Sequence, residues 1–201
     1  MENDYIFLFD LDSTITKEEI LPKIASKNNK VEQMKKLTEQ TMMGNILFEE
    51  SFRARVDMLK DISVNEVAKI VSEISLSEKL VTFLNENKER CYIVTSNLDV
   101  WIEKLMTKIG MDGHYFSSKA QVENDKILKI EKIITKESVI KMFDKKIVAV
   151  GDGSNDRVLL DCADIGIGYG GVRNIAPCLM EVINYAIYDE SKLYNFLNRL
   201  V

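Results

Sequence analysis

Hydrophobic runs along the chain predict short buried strands separated by helices. The run Tyr5–Phe9 has five consecutive apolar residues, which is typical of a strand buried on both faces of a parallel sheet. Strands that alternate with helices indicate an α/β fold of three layers with a mostly parallel sheet. A small hairpin is predicted within 122–130, and shorter apolar runs predict strands at 91–94, 115–116, 147–150, 165–167 and 186–187.

One connection departs from this alternation. Between residues 17 and 87 the apolar positions follow helical spacing, and the pattern contains no convincing strand. Roughly 70 residues of helix are far more than one crossover between parallel strands needs. We therefore predict a small helical cap at residues 16–77, inserted after the first strand of a core formed by residues 1–15 and 78–201.

Local signals mark the ends of helices in this insert. Ser63 with Glu66, and Ser75 with Glu78, match the capping-box pattern that opens a helix. Gly44 is predicted to end an earlier helix. The insert is therefore predicted to consist of consecutive helices.

Polar clusters follow three of the predicted strands. Asp10 and Asp12 come after the first strand, Thr95 after the second, and Asp152 and Asp156 after the strand at 147–150. The carboxyl ends of parallel strands lie along one edge of a sheet, so we expect these clusters to converge. A single Asp there is often only a helix cap, but three carboxylates, those of Asp10, Asp12 and Asp152, form a hard oxygen site that suits Mg²⁺.

Three further side chains are weaker candidates. Thr95 offers a hydroxyl where a helix begins, which suits either anion binding or an ordinary helix cap. Lys136 opens a later helix and carries little weight alone. Arg55 lies in the centre of the apolar arc of its helix, so it needs an anionic partner or must extend to an edge. The pattern leaves both interpretations of Arg55 open.

Composition and charge exclude several classes of function. The net charge is −5 and the basic residues are scattered along the chain, so the sequence shows no cluster of positive charge that would bind nucleic acid or anionic lipid. No apolar run approaches the roughly 18 residues of a membrane span, and the acidic N-terminus is unlike a signal peptide. Cys91, Cys162 and Cys178 are widely spaced in apolar surroundings, which predicts reduced core thiols and a cytoplasmic protein. The one histidine, His114, is predicted to have a turn or edge role.

Four segments stand out in order along the chain: Phe9-Asp-Leu-Asp-Ser-Thr-Ile15, Val94-Thr95, Lys136 and Gly151-Asp-Gly-Ser-Asn-Asp156. Together they resemble the four motifs of haloacid dehalogenase superfamily phosphatases. The resemblance covers nearly the whole chain and is strongest to the phosphoserine phosphatase branch, whose cap also resembles residues 48–56. It implies a Rossmann-like core with a helical cap.

The resemblance implies a role for each motif residue. Asp10 would be the nucleophile that forms an aspartyl-phosphate, and Asp12 would be the general acid and base. The Asp12 carbonyl and the carboxylates of Asp10 and Asp152 would hold Mg²⁺. Thr95 and Lys136 would bind phosphate oxygens, and Asp156 would orient Lys136 or a metal-bound water.

The resemblance also implies the residues that bind the substrate. Glu19 and Arg55 match positions that bind the ammonium and carboxylate groups of phosphoserine, and Asn155 lies beside the fourth motif. Ser96 and Asn97 stand where that branch has two glycines close to the substrate. Their side chains are expected to narrow the pocket or to add hydrogen bonds, which puts phosphoserine in question but leaves the reaction type unchanged.

We therefore expect a Mg²⁺-dependent phosphomonoesterase that acts on a small polar metabolite, with phosphoserine as the leading candidate. Phosphoethanolamine-like esters, or transfer of the phosphoryl group to a second hydroxyl compound, are alternatives within the same chemistry. A receiver-like phosphorylation switch and a catalytically silent structural protein are alternatives from other classes. No nucleic acid or membrane partner is expected, and the sequence leaves the oligomeric state open.

Overall fold

A computed structural model describes residues 4–42 and 45–201 of the chain, so Gly44 and the helix end predicted there lie outside the described residues. The strands of the described part are β1 Tyr5–Phe9, β2 Cys91–Leu98, β3 Tyr115–Glu123, β4 Lys126–Lys132, β5 Lys146–Gly151, β6 Ile165–Tyr169 and β7 Tyr185–Ile187. They form one sheet in the order β4-β3-β2-β1-β5-β6-β7. Neighbouring strands are parallel, except that β4 runs antiparallel to β3.

Helices cover both faces of this sheet. No helix in the described ranges is long and apolar enough to cross a membrane. The α-helices of the described part are α1 Ile20–Ala25, α2 Val31–Met42, α3 Phe48–Leu59, α4 Val64–Ser72, α5 Glu78–Glu86, α6 Asp99–Lys108, α7 Lys136–Ile140, α8 Arg157–Asp161 and α9 Glu190–Leu197.

The three layers follow from the alternation of side chains along β1. Phe7 and Phe9 point to the face where α5, α6 and α9 pack, whereas Ile6 and Leu8 point to the face where α7 and α8 pack. All four side chains are buried because both faces of β1 are covered. The predicted α/β fold with a mostly parallel sheet is confirmed.

Helices α1 to α5 lie in the long connection between β1 and β2. The two ends of this connection run side by side: Lys17 N donates to Ser75 O (2.8 Å), and Ser77 N donates to Ile15 O (2.9 Å). Helix α4 packs against α6, α1 contacts α2 and α4, and α2 contacts α3. The division into a core of 1–15 and 78–201 and a cap of 16–77 stays a prediction.

One of the two predicted capping signals is correct. Ser63 Oγ accepts a hydrogen bond from Glu66 N (3.2 Å) and opens α4, as predicted. The prediction that Ser75 opens the next helix is wrong, because α5 begins at Glu78. Ser75 O instead accepts a hydrogen bond from Lys17 N, so a tertiary backbone contact overrides the local signal.

The predicted hairpin is confirmed, and it is longer than the sequence indicated, since β3 and β4 together span 115–132. Its turn residues Asn124 and Asp125 have positive φ angles of 51° and 60°, which short polar side chains tolerate. The Asp125 carboxylate accepts hydrogen bonds from Ser63 Oγ, from Asn65 N (3.1 Å) and from Asn65 Nδ2 (2.9 Å). The hairpin tip is thereby joined to the start of α4.

The cysteines are free, but they do not all lie in the core. Cys91 is buried, and burial raises the pKa of its thiol to about 12. Cys178 is half-buried and Cys162 is exposed, so the prediction of a core thiol is wrong for Cys162. His114 stacks on Tyr92 with ring centroids 5.2 Å apart, just before β3, which is a structural role at a strand end.

Phe83→Ala tests the packing that supports β1. Phe83 is fully buried and meets Phe7 edge-on (centroids 5.2 Å apart) and Phe9 (6.0 Å apart). We expect the free energy of unfolding, measured by urea denaturation, to fall by about 3–5 kcal/mol. Met142→Ala, at a side chain that is 63% exposed, is the control and is expected to change it by less than about 0.5 kcal/mol. Equal effects of the two substitutions would contradict this account of the core.

Candidate active site

The site lies at the carboxyl ends of β1, β2 and β5. Asp10 directly follows β1, and its backbone N–H donates to Val150 O of β5 (2.9 Å). The chain then makes an irregular turn over residues 11–15, in which Ser13 has a positive φ of 57°. This turn brings Thr14 Oγ1 to Asp152 Oδ1 (3.4 Å), so the first and fourth motifs are in contact.

Lys136 forms a double ion pair at the centre of the site. Its Nζ contacts Asp10 Oδ1 and Asp156 Oδ1, and all three side chains are buried. Burial and the neighbouring Asp156 raise the pKa of Asp10, and Lys136 opposes that rise. Burial alone would lower the pKa of Lys136, but the two carboxylates reverse the effect and raise it, so Lys136 stays charged.

Asp156 is folded back over the backbone of the fourth motif. Its Oδ2 accepts hydrogen bonds from Asp152 N (3.0 Å) and Gly153 N (2.9 Å). A Cβ at Gly151 would lie 2.5 Å from Asp156 Cγ, so glycine is required at position 151 for this close approach. Both Asp156 oxygens are therefore occupied, one by Lys136 and one by backbone N–H groups.

The carboxylates of Asp10, Asp152 and Asp156 meet the requirements of a small hard cation. One oxygen from each lies within 4.8 Å of the others, and all three residues are buried. Burial and Asp156 raise the pKa of Asp152 to about 7, against the opposing effect of Arg173. A divalent cation would favour the ionised forms of these acids, so the donor set fits Mg²⁺. Asp10 has one carboxylate oxygen outside its contact with Lys136, which favours it as a ligand. Asp152 contacts Arg173 through Oδ2 and Thr14 Oγ1 through Oδ1 (3.4 Å), so a cation bound by Asp152 would compete with these contacts.

The Asp12 carboxylate belongs to a different group of contacts. Its Oδ1 accepts from Ile20 N at the start of α1 (2.7 Å), and its Oδ2 accepts from Asn97 Nδ2. Burial raises the pKa of Asp12 against the effect of these hydrogen bonds. The Asp12 carboxylate therefore lies outside the cluster of Asp10, Asp152 and Asp156. A metal-binding role for the Asp12 backbone carbonyl, which the resemblance implies, stays a prediction.

The remaining predicted site residues line a cavity that also borders Asp10. Thr95, Ser96 and Asn97 at the end of β2 line one side, and Asn155 lines another. Asp10 and Asp12 are also lining residues, whereas Lys136, Asp152 and Asp156 lie outside the cavity lining. Residues of the predicted cap also line the cavity, namely Glu19, Leu21, Pro22, Thr38, Thr41, Phe48, Phe52 and Arg55.

Arg55 is half-buried in the wall that the insert forms. Its Nε donates to Ser51 O (3.3 Å), and its guanidinium carbon lies 5.9 Å from the ring centre of Phe48. Within the described residues, no carboxylate oxygen lies within 4 Å of it. Burial lowers its pKa, while Asp12 and Glu19 act in the opposite sense. The remaining N–H groups of Arg55 are therefore available to an anionic group in the cavity.

Arg173 is the main functional candidate that the sequence analysis missed. Its Nε contacts Asp152 Oδ2, and its Nη1 contacts Glu19 Oε1, so it joins the fourth motif to the insert. Glu19, predicted to bind an ammonium group, is therefore already paired. The available signal was the pair Gly170-Gly171 directly after β6, since arginine near a glycine-rich strand end is placed at the binding edge of the sheet.

Comparisons with known proteins agree with this geometry. A family model described as haloacid dehalogenase-like hydrolase matches residues 6–160. The phosphoserine phosphatase of Methanocaldococcus jannaschii is 31% identical, over 82% of this chain and 84% of that protein. That of Archaeoglobus fulgidus is 29% identical over 92% of this chain, which spans 57% of that relative's length. A solved structure of a phospho-aspartyl intermediate analogue of phosphoserine phosphatase has a TM-score of 0.79 at 28% identity, and the match covers 96% of this chain and 98% of that one.

The carboxylate cluster predicts that Mg²⁺ stabilises the folded protein. We expect excess Mg²⁺ to raise the melting temperature, since a ligand at 100 times its Kd adds about 2.7 kcal/mol of stability. Asp152→Asn removes one candidate ligand and is expected to abolish most of this increase. Asp161→Asn, at an exposed carboxylate ending α8, should keep the full increase. An equal response of both variants in thermal melts with and without EDTA would contradict the assignment of Asp152.

Proposed function

The chain belongs to the haloacid dehalogenase-like hydrolase family, and from this premise we propose that it is a Mg²⁺-dependent phosphomonoesterase acting on a small polar phosphate ester. The observation that carries the proposal is the buried Lys136, which contacts both Asp10 and Asp156 behind a cavity lined by Asp10 and Asp12. One oxygen of Asp10 is held by Lys136. The other is then free to act as a nucleophile.

In the first step, the free Asp10 oxygen attacks phosphorus in line with the ester oxygen. A bond forms between phosphorus and Asp10 Oδ2, and the bond from phosphorus to the substrate oxygen breaks. Asp12 gives its proton to that departing oxygen, which leaves as an alcohol. Burial raises the pKa of Asp12, which favours the protonated form that this step needs.

In the second step, a water molecule replaces the carboxylate. Asp12, now ionised, accepts a proton from the water as its oxygen attacks phosphorus, and the bond from phosphorus to Asp10 breaks. Inorganic phosphate is released, and Asp10 and Asp12 return to their starting states. If this step did not occur, the chain would be a phosphorylation switch. If a second hydroxyl compound replaced water, the chain would be a phosphotransferase.

The other motif residues are proposed to stabilise the negative charge of the phosphoryl group. Lys136 and the Thr95 hydroxyl would bind phosphoryl oxygens, and Asp156 would hold Lys136 in place through their ion pair. The carboxylates of Asp10 and Asp152, with the Asp12 carbonyl, would hold Mg²⁺, which when bound neutralises charge on the phosphoryl group.

We further propose phosphoserine as the leading substrate, with residues 16–77 acting as the cap that selects it. Arg55 faces the cavity with N–H groups available for a carboxylate, and the relatives named above are phosphoserine phosphatases. A phosphoethanolamine-like ester has no carboxylate for Arg55, so this feature favours phosphoserine. Glu19 would bind the ammonium group by sharing its carboxylate with Arg173. The free thiols support the proposal of a reducing, cytoplasmic location.

Asp10→Asn tests the nucleophile. The amide oxygen is a poor nucleophile, so we expect kcat on phosphoserine and on an aryl phosphate to fall by at least about 1000-fold. Asp161→Asn is the control and should leave both rates unchanged. Rates are measured as phosphate release with Mg²⁺ present. Activity that survives Asp10→Asn would rule out the aspartyl-phosphate mechanism.

Arg55→Ala tests the substrate class. If Arg55 binds a carboxylate, its loss should reduce kcat/KM for phosphoserine by about 10- to 100-fold, since a charge-assisted hydrogen bond contributes about 1.5–3 kcal/mol. For an aryl phosphate, which has no carboxylate at that position, a change below about threefold is expected.

Arg53→Ala is the matched control for this experiment. Arg53 lies on the same helix, α3, but is exposed and pairs with Glu49 (2.7 Å). Its replacement is expected to leave the ratio of the two kcat/KM values unchanged. Equal losses on both substrates in Arg55→Ala would contradict a carboxylate-binding role.

A further inference from the structure

Asn97 occupies a position between two groups of the proposed reaction. It lies two residues after Thr95 in β2, so both side chains point to the same side of the strand. Asn97 is only 4% exposed, although its side chain reaches the wall of the cavity. The phosphoserine phosphatase branch has glycine at this position, as noted above, so any contact of the side chain is a feature that such a glycine cannot provide.

The Asn97 amide group uses both of its N–H bonds. Nδ2 donates one hydrogen bond to Asp12 Oδ2 and another to Thr95 Oγ1 (2.9 Å). Either oxygen of an ionised carboxylate, and the carbonyl oxygen of a protonated carboxyl group, accepts hydrogen bonds, so Nδ2 can donate to Asp12 before and after proton transfer. The hydrogen bond to Thr95 fixes the Asn97 amide group, and the amide group in turn fixes the Asp12 carboxyl group.

Asp12 is thereby held from two sides. Ile20 N, at the start of α1, donates to Oδ1 (2.7 Å), and Asn97 donates to Oδ2. The first contact comes from the predicted cap and the second comes from the sheet. Removal of the Asn97 side chain leaves Ile20 N as the one donor to this carboxyl group among residues 4–42 and 45–201, so the group gains freedom to rotate away from the departing oxygen.

We infer that Asn97 is a positioning residue that holds the Asp12 carboxyl group for proton transfer to the leaving oxygen, and that it does not itself bind the substrate. The inference rests on the proposed function and deepens it. It replaces the expectation from sequence that Asn97 contacts the substrate directly. A consequence is that Asn97 matters most for esters whose leaving oxygen needs a proton.

Two substrates separate this role from others. The alkoxide of phosphoserine is a poor leaving group without a proton, whereas the phenoxide of p-nitrophenyl phosphate leaves readily without one. Single-turnover release of the alcohol reports the first step alone, before water attacks the phospho-enzyme. In Asn97→Ala, we expect this rate to fall by about 10- to 100-fold for phosphoserine and by less than about threefold for p-nitrophenyl phosphate.

The backbone of position 97 makes this test selective. Asn97 N also donates to Thr95 Oγ1 (3.2 Å), and an alanine keeps this hydrogen bond. Thr95 is therefore still held in Asn97→Ala, so phosphate binding should be preserved. We expect KM for phosphoserine to change by less than about threefold while kcat falls. Asn198→Ala, at the end of α9, is the control and should leave kcat and KM unchanged for both substrates.

Three outcomes would overturn the inference. They are a rise in KM at unchanged kcat, equal losses on the two substrates, and no loss on phosphoserine. Asn97→Gly is the second variant if Asn97→Ala does not fold, because the related branch has glycine there, and the same split between substrates is expected of it. A wild-type enzyme that hydrolyses neither ester, or an Asp10→Asn variant that stays active, would instead overturn the proposed function.

Discussion

The structure of the site depends on one buried interaction, the ion pair of Lys136 with both Asp10 and Asp156. Three carboxylates within 4.8 Å of one another repel strongly, and burial strengthens that repulsion. A single lysine offsets part of it, since it contacts two of the three. Asp156 is held in turn by the backbone of the fourth motif, which needs glycine at position 151. The sheet, the helix α7 and the motif turn therefore all serve to fix the geometry around this one ammonium group.

A second set of contacts joins the predicted cap to the rest of the chain. Arg173 bridges Asp152 of the core and Glu19 of the insert, while Asp125 on the hairpin tip accepts hydrogen bonds from the start of α4. The insert is therefore tied to the core both beside the carboxylate cluster and at the far end of the hairpin. Of its helices, α4 packs on α6, whereas α3 carries Arg55 into the cavity.

The sequence predicted those site residues whose position follows from the local pattern of apolar and polar residues. Asp10, Thr95 and Asp152 each follow an apolar run, so their convergence could be predicted from the rule that parallel strands share one binding edge. Arg173 could not be placed in this way, because its partner Glu19 is 154 residues away. The wrong helix start at Ser75 has a similar cause, since the chain there pairs with the distant Lys17 and the local capping signal is overridden.

The Asp12 carboxyl group is contacted both by the predicted cap, which is proposed to select the substrate, and by the sheet, which carries the proposed catalytic residues. Its Oδ1 is bound by Ile20 N at the start of α1, three residues after the insert pairs with Ser75, and its Oδ2 is bound by Asn97 on the sheet. A shift of α1 relative to β2 would therefore change the orientation of the carboxyl group that is proposed to transfer the proton. The same segment of chain carries Arg55, which lines the cavity. Helices α1 and α3 are in contact, so a substrate that displaces α3 at Arg55 is also expected to disturb the hydrogen bond from α1 to the proposed proton donor.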